Sequence, residues 1–163
     1  MKQFITNILL AVIWAAVTGT ISLGNLAIGF FLGYLVMLVA APAIDSEHYT
    51  RRLRLAVGFI FYFLKELVVS SIRVAVDVMK PSFRMKSGIV GIPLDAKSDL
   101  EKTLLANSIS LTPGTLSLDT SEDGKTLYIH AMYIDNNDVE AVRKEIKMGM
   151  ESHILEITRP EWP

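Results

Sequence analysis

The sequence predicts a membrane-anchored α+β protein: an anchor of two to three apolar helices, then a small soluble domain in the order βαββα, ferredoxin-like or split-βαβ. Three observations carry this expectation. Of 16 basic and 17 acidic residues, only Lys2 precedes Asp45, whereas 22 charged residues lie between Pro81 and Pro163. Two apolar runs, Phe4 to Val17 and Leu26 to Ile44, come in quick succession before the charged half begins. From Lys86 onward, turn residues separate short β-branched runs from amphipathic stretches. The expected division is 1–80 in the membrane and 81–163 in water.

The first run is short for a span, which needs about 20 residues. It reaches that length only by including Thr18 to Ser22, so helices are expected at about 4–22 and 25–43, turning at "TGTISLGN". Lys2, the apolar core and "WAAVTGT" imitate a signal peptide, but a cleaved signal leads into a polar chain, and here a second apolar run follows. The pair is a tight hairpin that either crosses fully or is re-entrant. Asn7, Ala11 and Ala15 share one helical face; Asn25, Gly29 and Gly33 share another. Gly29 and Gly33 form a G-x-x-x-G, which lets helix backbones approach closely. That packing face serves either the other helix of the hairpin or a foreign subunit.

A third helix is expected at about 54–80, in "LRLAVGFIFYFLKELVVSSIRVAVDVMK". It is long enough to span, yet it contains Lys65, Glu66, Arg73 and Asp77, a candidate intramembrane charged stripe. At about 100° per residue, Glu66, Ser70, Arg73, Asp77 and Lys80 fall within a narrow sector, and Arg73 is placed to pair with Asp77 at i, i+4. Surface-lying helices carry a broad charged face, so the narrow stripe favours a helix embedded with its polar edge against protein. Charge does not decide topology if this helix spans: Lys2, Arg51, Arg52 and Arg54 oppose Lys80, Arg84 and Lys86. If it lies flat, all of them share one side.

The soluble half begins with a strand in "GIVGIPL". A helix follows in "DAKSDLEKTLLANSI", capped by Asp or Ser, with Leu100, Leu104 and Leu105 at helical spacing. In "LTPGTLSL", Pro113 and Gly114 suit positions i+1 and i+2 of a type II turn, where Gly supplies positive φ. A strand runs from Thr115 to Asp119 and "TSEDGK" reverses the chain. "TLYIHAMYI" returns with Leu127, Ile129, Ala131 and Tyr133 alternating against Tyr128, His130, Met132 and Ile134. "NDVEAVRKEIKMGMESHI" closes as an amphipathic helix, with Ile154 to Thr158 as a candidate last strand.

Several chemistries have no foothold. The absence of Cys removes disulfides and thiolate catalysis or metal binding. A net charge of −1 without a basic, aromatic-interleaved patch gives no support to nucleic-acid binding. "DTSEDG" matches half of a calcium loop, but position twelve is His130 rather than Glu and strands flank it. His48, His130 and His153 lack the spacing of a zinc site. No Walker A sequence or G-x-S-x-G elbow is present. No enzyme, cofactor or metal is expected.

The apolar hairpin, "FLKELVVSSIRVAVDVM", "NSISLTPGTLSL", "DGKTLYIHAMYI" and "ILEITRP" together resemble the E-type component of Mrp-type (Mnh-type) multisubunit cation/proton antiporters, over essentially the whole chain. The resemblance implies a bacterial cytoplasmic membrane, exchange of Na+ or Li+ for protons by the whole complex, and partners among its A, B, C, D, F and G components and the lipid bilayer. It implies an accessory subunit without antiport of its own and a cytoplasmic C-terminal domain. It gives Asn107, Thr112, Pro113, Gly114 and Thr115 a role as a docking turn. The alternative is a free-standing membrane-anchored interaction module.

Overall fold

The computed structural model describes residues 2–40, 47–80, 85–134 and 138–159. The chain forms two compact units, Met1–Arg54 and Leu55–Pro163.

In the first unit, α1 (Lys2–Val17) and α2 (Leu23–Val39) pack as a hairpin. At 1.5 Å per residue each helix is about 24–26 Å long, somewhat less than a hydrocarbon core of about 30 Å. Helix α1 stops at Val17 rather than reaching residue 22. Gly19 takes a φ of 68°, which breaks the helix, and Ser22 opens α2 by accepting from the Asn25 amide at 3.2 Å. Asn25 then fixes the bend: its amide donates to Thr18 Oγ1 and to the Thr20 carbonyl, each at 2.6 Å, and its oxygen accepts from Trp14 Nε1 at 3.0 Å. Residues 41–43, expected at the end of α2, lie outside the described residues.

Helix α3 (Glu47–Met79) starts seven residues earlier than expected and runs without a break. Among the described residues it is the one helix whose length and composition would let it cross a membrane. Its length does not place it, because its C-terminal three-quarters, from Leu55 to Met79, belong to the second unit.

That unit holds a three-stranded antiparallel sheet in the order β1-β3-β2, from β1 (Gly88–Pro93), β2 (Thr115–Thr120) and β3 (Thr126–Ala131). Strands β1 and β2 each run antiparallel to β3, which lies between them. Helix α4 (Asp99–Leu111) crosses from β1 to β2. Ser98 caps it in a reciprocal capping box with Glu101. Leu105 and Ile109 are its buried apolar residues, whereas Leu100 and Leu104 face outward. Leu127, Ile129 and Ala131 are buried and Tyr128 is exposed, the period-2 pattern of a strand covered on one face. The outer edge of β1 is occupied by side chains: Arg143 donates to the Gly91 carbonyl and Lys147 to the Pro93 carbonyl, both at 2.8 Å.

The chain closes with α5 (Val139–Ile146), a π-turn (Lys147–Glu151) and α6 (Ser152–Thr158). The candidate strand at Ile154–Thr158 is therefore helix, and the described residues contain no fourth strand to complete a ferredoxin-like sheet. The reason is continuity. Nothing between Ile146 and Ser152 breaks the helix, and the π-turn absorbs one extra residue while keeping Ile146, Met150 and Ile154 in the core. From α3, Phe59 and Tyr62 pack against this same core.

Candidate docking site

Two sets of residues that are distant in sequence meet in one place. A cleft of about 150 Å³ is lined on one side by Glu66, Ser70 and Arg73 of α3, and on the other by Thr112–Thr115 and Tyr133. Helix α5 and the π-turn form its floor, with Glu145 and Met150. Part of the charged stripe and the turn therefore belong to one surface. Lys65, Asp77 and Asn107 do not line the cleft. Lys65 is solvent-facing and 3.6 Å from Glu66; Asn107 is exposed on α4.

The turn owes its shape to three residues. The Thr115 amide donates to the Thr112 carbonyl at 3.2 Å, and Gly114 takes a φ of 95°, the geometry of a type II turn. Thr115 Oγ1 donates to the Ile109 carbonyl at 2.7 Å, tying the turn to the end of α4. A Cβ on Gly114 would sit 3.3 Å from the Tyr133 ring and would have to accept the left-handed backbone already present there. Gly114→Val is expected to cost about 1–2 kcal/mol from that backbone conformation. Thr115→Ser keeps the hydroxyl and costs little. Thermal melting of both variants checks the ranking.

The ion pairing of the stripe differs from the i, i+4 expectation. Asp77 bonds Lys80, at 2.5 Å, instead of Arg73. The Arg73 guanidinium lies 5.3 Å from the centre of the Tyr133 ring, a cation–π arrangement that turns it toward the domain. Burial, together with the nearby Asp77 carboxylate, raises the pKa of the Tyr133 hydroxyl. Further along α3, Tyr62 stacks on His153 with ring centres 4.5 Å apart, and His153 Nδ1 lies 2.7 Å from the Gly149 carbonyl in the π-turn. Gly149 fits beneath the Tyr62 hydroxyl, where a side chain would collide. Helix α3 thus meets the domain from Phe59 to Arg73.

Two buried carboxylates were not legible as functional in the sequence. Glu101 accepts from Arg159 Nε at 3.0 Å and from Nη2 at 2.7 Å, as well as from the Lys97 and Ser98 amides and from Thr158 Oγ1. This set holds its carboxyl far below the usual range, with the Arg159 bond as the main cause. Glu151 accepts from the Asp95 and Ala96 amides at 2.7 and 2.9 Å. Both carboxylates bind the loop after β1 to the C-terminal helix. The one available signal was S-x-x-E at Ser98–Glu101, which marks a helix start but not the distant arginine.

In the first unit, Gly29 and Gly33 lie against α1. A Cβ on Gly29 would meet the Ala11 backbone at 2.9 Å, and one on Gly33 would collide with the Asn7 carboxamide. Asn7 is fully buried and donates to Tyr49 Oη at 2.8 Å.

Comparison with known proteins gives this architecture a family. A family model described as "Na+/H+ ion antiporter subunit" (MNHE) matches residues 7–157. The chain belongs to this family. Members with similar sequences include the E-type Na(+)/H(+) antiporter subunit of Alkalihalophilus pseudofirmus, 36% identical over 96% of this chain and 98% of that one. Its counterpart in Bacillus subtilis is 32% identical, with the same coverage of 96% and 98%. Among solved structures, a chain of membrane-bound sulfane sulfur reductase, an archaeal respiratory membrane complex, superposes with a TM-score of 0.59 at 28% identity. That match covers 96% of this chain and 98% of that one. As an MNHE family member the chain is a component of cation transport by antiport.

Proposed function

We propose that the chain is an accessory integral-membrane subunit of a multisubunit Na+(Li+)/H+ antiporter, needed for assembly and activity of the complex and without antiport of its own. The observation that carries this is the near end-to-end match to E-type Na(+)/H(+) antiporter subunits. Residues 1–80 supply the membrane part and 81–163 the water-side domain. Its partners are the other subunits of the complex and the bilayer. The cleft edged by Glu66, Arg73 and the turn Thr112–Thr115 is a docking surface for such a partner, and Asn107 extends it along α4. The domain lies on the cytoplasmic side of a bacterial membrane, where basic residues collect.

Everted vesicles test this directly. Vesicles carrying the complete set of subunits should exchange sodium for protons, and those lacking only this chain should not. Vesicles with this chain alone should contain it in the membrane fraction and show no exchange. Exchange by the isolated chain, or full exchange without it, would overturn the proposal.

A further inference from the structure

One face of α3 is packed and the opposite face is bare. Phe59, Tyr62, Glu66, Ser70 and Arg73 face the α+β domain. On the other side Val57, Phe61, Leu64, Val68, Ile72 and Val76 form an exposed apolar line, between 44% and 69% accessible. Their spacing of three and four residues keeps them on one side of the helix over about 28 Å. A continuous apolar strip of this length is not left in water.

We propose that α3, from Leu55 to Met79, lies in the plane of an anionic membrane surface, with this line in the acyl chains and the α+β domain on the water side. The contact from Phe59 to Arg73 occupies about 21 Å of helix axis. A spanning α3 would carry that contact, and the domain with it, into a hydrocarbon core of about 30 Å. That domain holds most of the chain's charges, which the core does not accommodate unpaired. An in-plane helix has no such cost. It buries one face in lipid and keeps the other wet. Charge distribution agrees independently. With α3 flat, Lys65 on the helix and Lys80 and Lys86 just after it lie at the level of one leaflet. Basic side chains near an anionic surface attract it. Exposed Lys65 sits at the flank of the apolar line, where its amine reaches the headgroups. The inference rests on the membrane placement proposed above and not on antiport.

The chain contains no Cys, so single cysteines report without background. The experiment uses the full chain in phosphatidylglycerol/phosphatidylethanolamine vesicles. A nitroxide is placed in turn at Val57, Phe61, Leu64, Val68, Ile72 and Val76, with Asp119 in the soluble domain as a water control. Collision with oxygen and with a water-soluble nickel chelate gives the depth of each label. All six labels should be oxygen-accessible and nickel-poor at one shallow depth, about 5–10 Å below the headgroups. Depth rising to a maximum near Leu64 or Val68 and falling again would mean that α3 spans. Protection from both reagents would mean a protein partner covers the face, and nickel access throughout would mean water does. Each of these three results overturns the proposal. Because the readout is depth, it fails or succeeds separately from the antiport assay.

Discussion

Replacing Arg159 by Met is expected to destabilise the α+β unit by about 3 kcal/mol, near the lower end for breaking a buried ion pair. The lower end applies because the Arg159 side chain is 24% exposed while that of Glu101 is 5% exposed. The loss arises from leaving the Glu101 carboxylate buried without its main partner. Arg159→Lys should recover only part of it, since an ammonium cannot make the two-point contact of the guanidinium. The same pair predicts acid sensitivity. Because the Glu101 pKa is depressed on folding, its stabilisation is complete above the usual glutamate value of 4.5 and is lost as pH falls from there toward the folded value. Melting temperature measured against pH should therefore drop more steeply for the wild type than for Glu101→Gln. Equal slopes would remove Glu101 as the source.

The second large effect is expected in the hairpin. Gly29→Ala and Gly33→Ala should each cost about 1–3 kcal/mol, the usual range for overpacking. They should differ in how they are relieved. At Gly29 the obstacle is the backbone of Ala11, which cannot move without parting the helices. At Gly33 it is the Asn7 carboxamide, so Asn7→Ala should restore much of the loss in Gly33→Ala and none in Gly29→Ala. The amount of folded chain recovered from membranes, followed by thermal melting in detergent, distinguishes the two.

Much of the fold was readable because its signals are local. The charge gap before Asp45, the Pro-Gly turn and the alternation from Leu127 to Ala131 each act within a few residues. The bend lies within "TGTISLGN" as expected, and only the end of α1 differs, because Thr18 to Ser22 are compatible with a helix until Gly19 takes positive φ. Ile154 to Thr158 resembles a strand by composition, and only its unbroken attachment through the π-turn makes it helix. The side of α3 that meets the domain was visible as a polar stripe, but its neighbours were not. Arg73 is drawn to Tyr133, 60 residues later in the chain, and no spacing rule within one helix reports that. The same limit hid Glu101 and Arg159, which are ordinary surface residue types until the fold joins them.

The pairing of Glu101 with Arg159 also has a consequence in time. As the ribosome delivers the chain, α1 and α2 can pack on each other by Val39, with the bond from Asn7 to Tyr49 added ten residues later. In the membrane placement proposed above, this unit settles early. The sheet cannot close until β3 arrives to sit between β1 and β2. The Glu101 carboxylate waits longer still, for a partner 58 residues downstream. A ribosome paused before Arg159 therefore holds a chain whose first unit is already packed and whose α+β unit is still unfinished. Such nascent chains are expected to be protease-sensitive in their emerging half until the last helix is released.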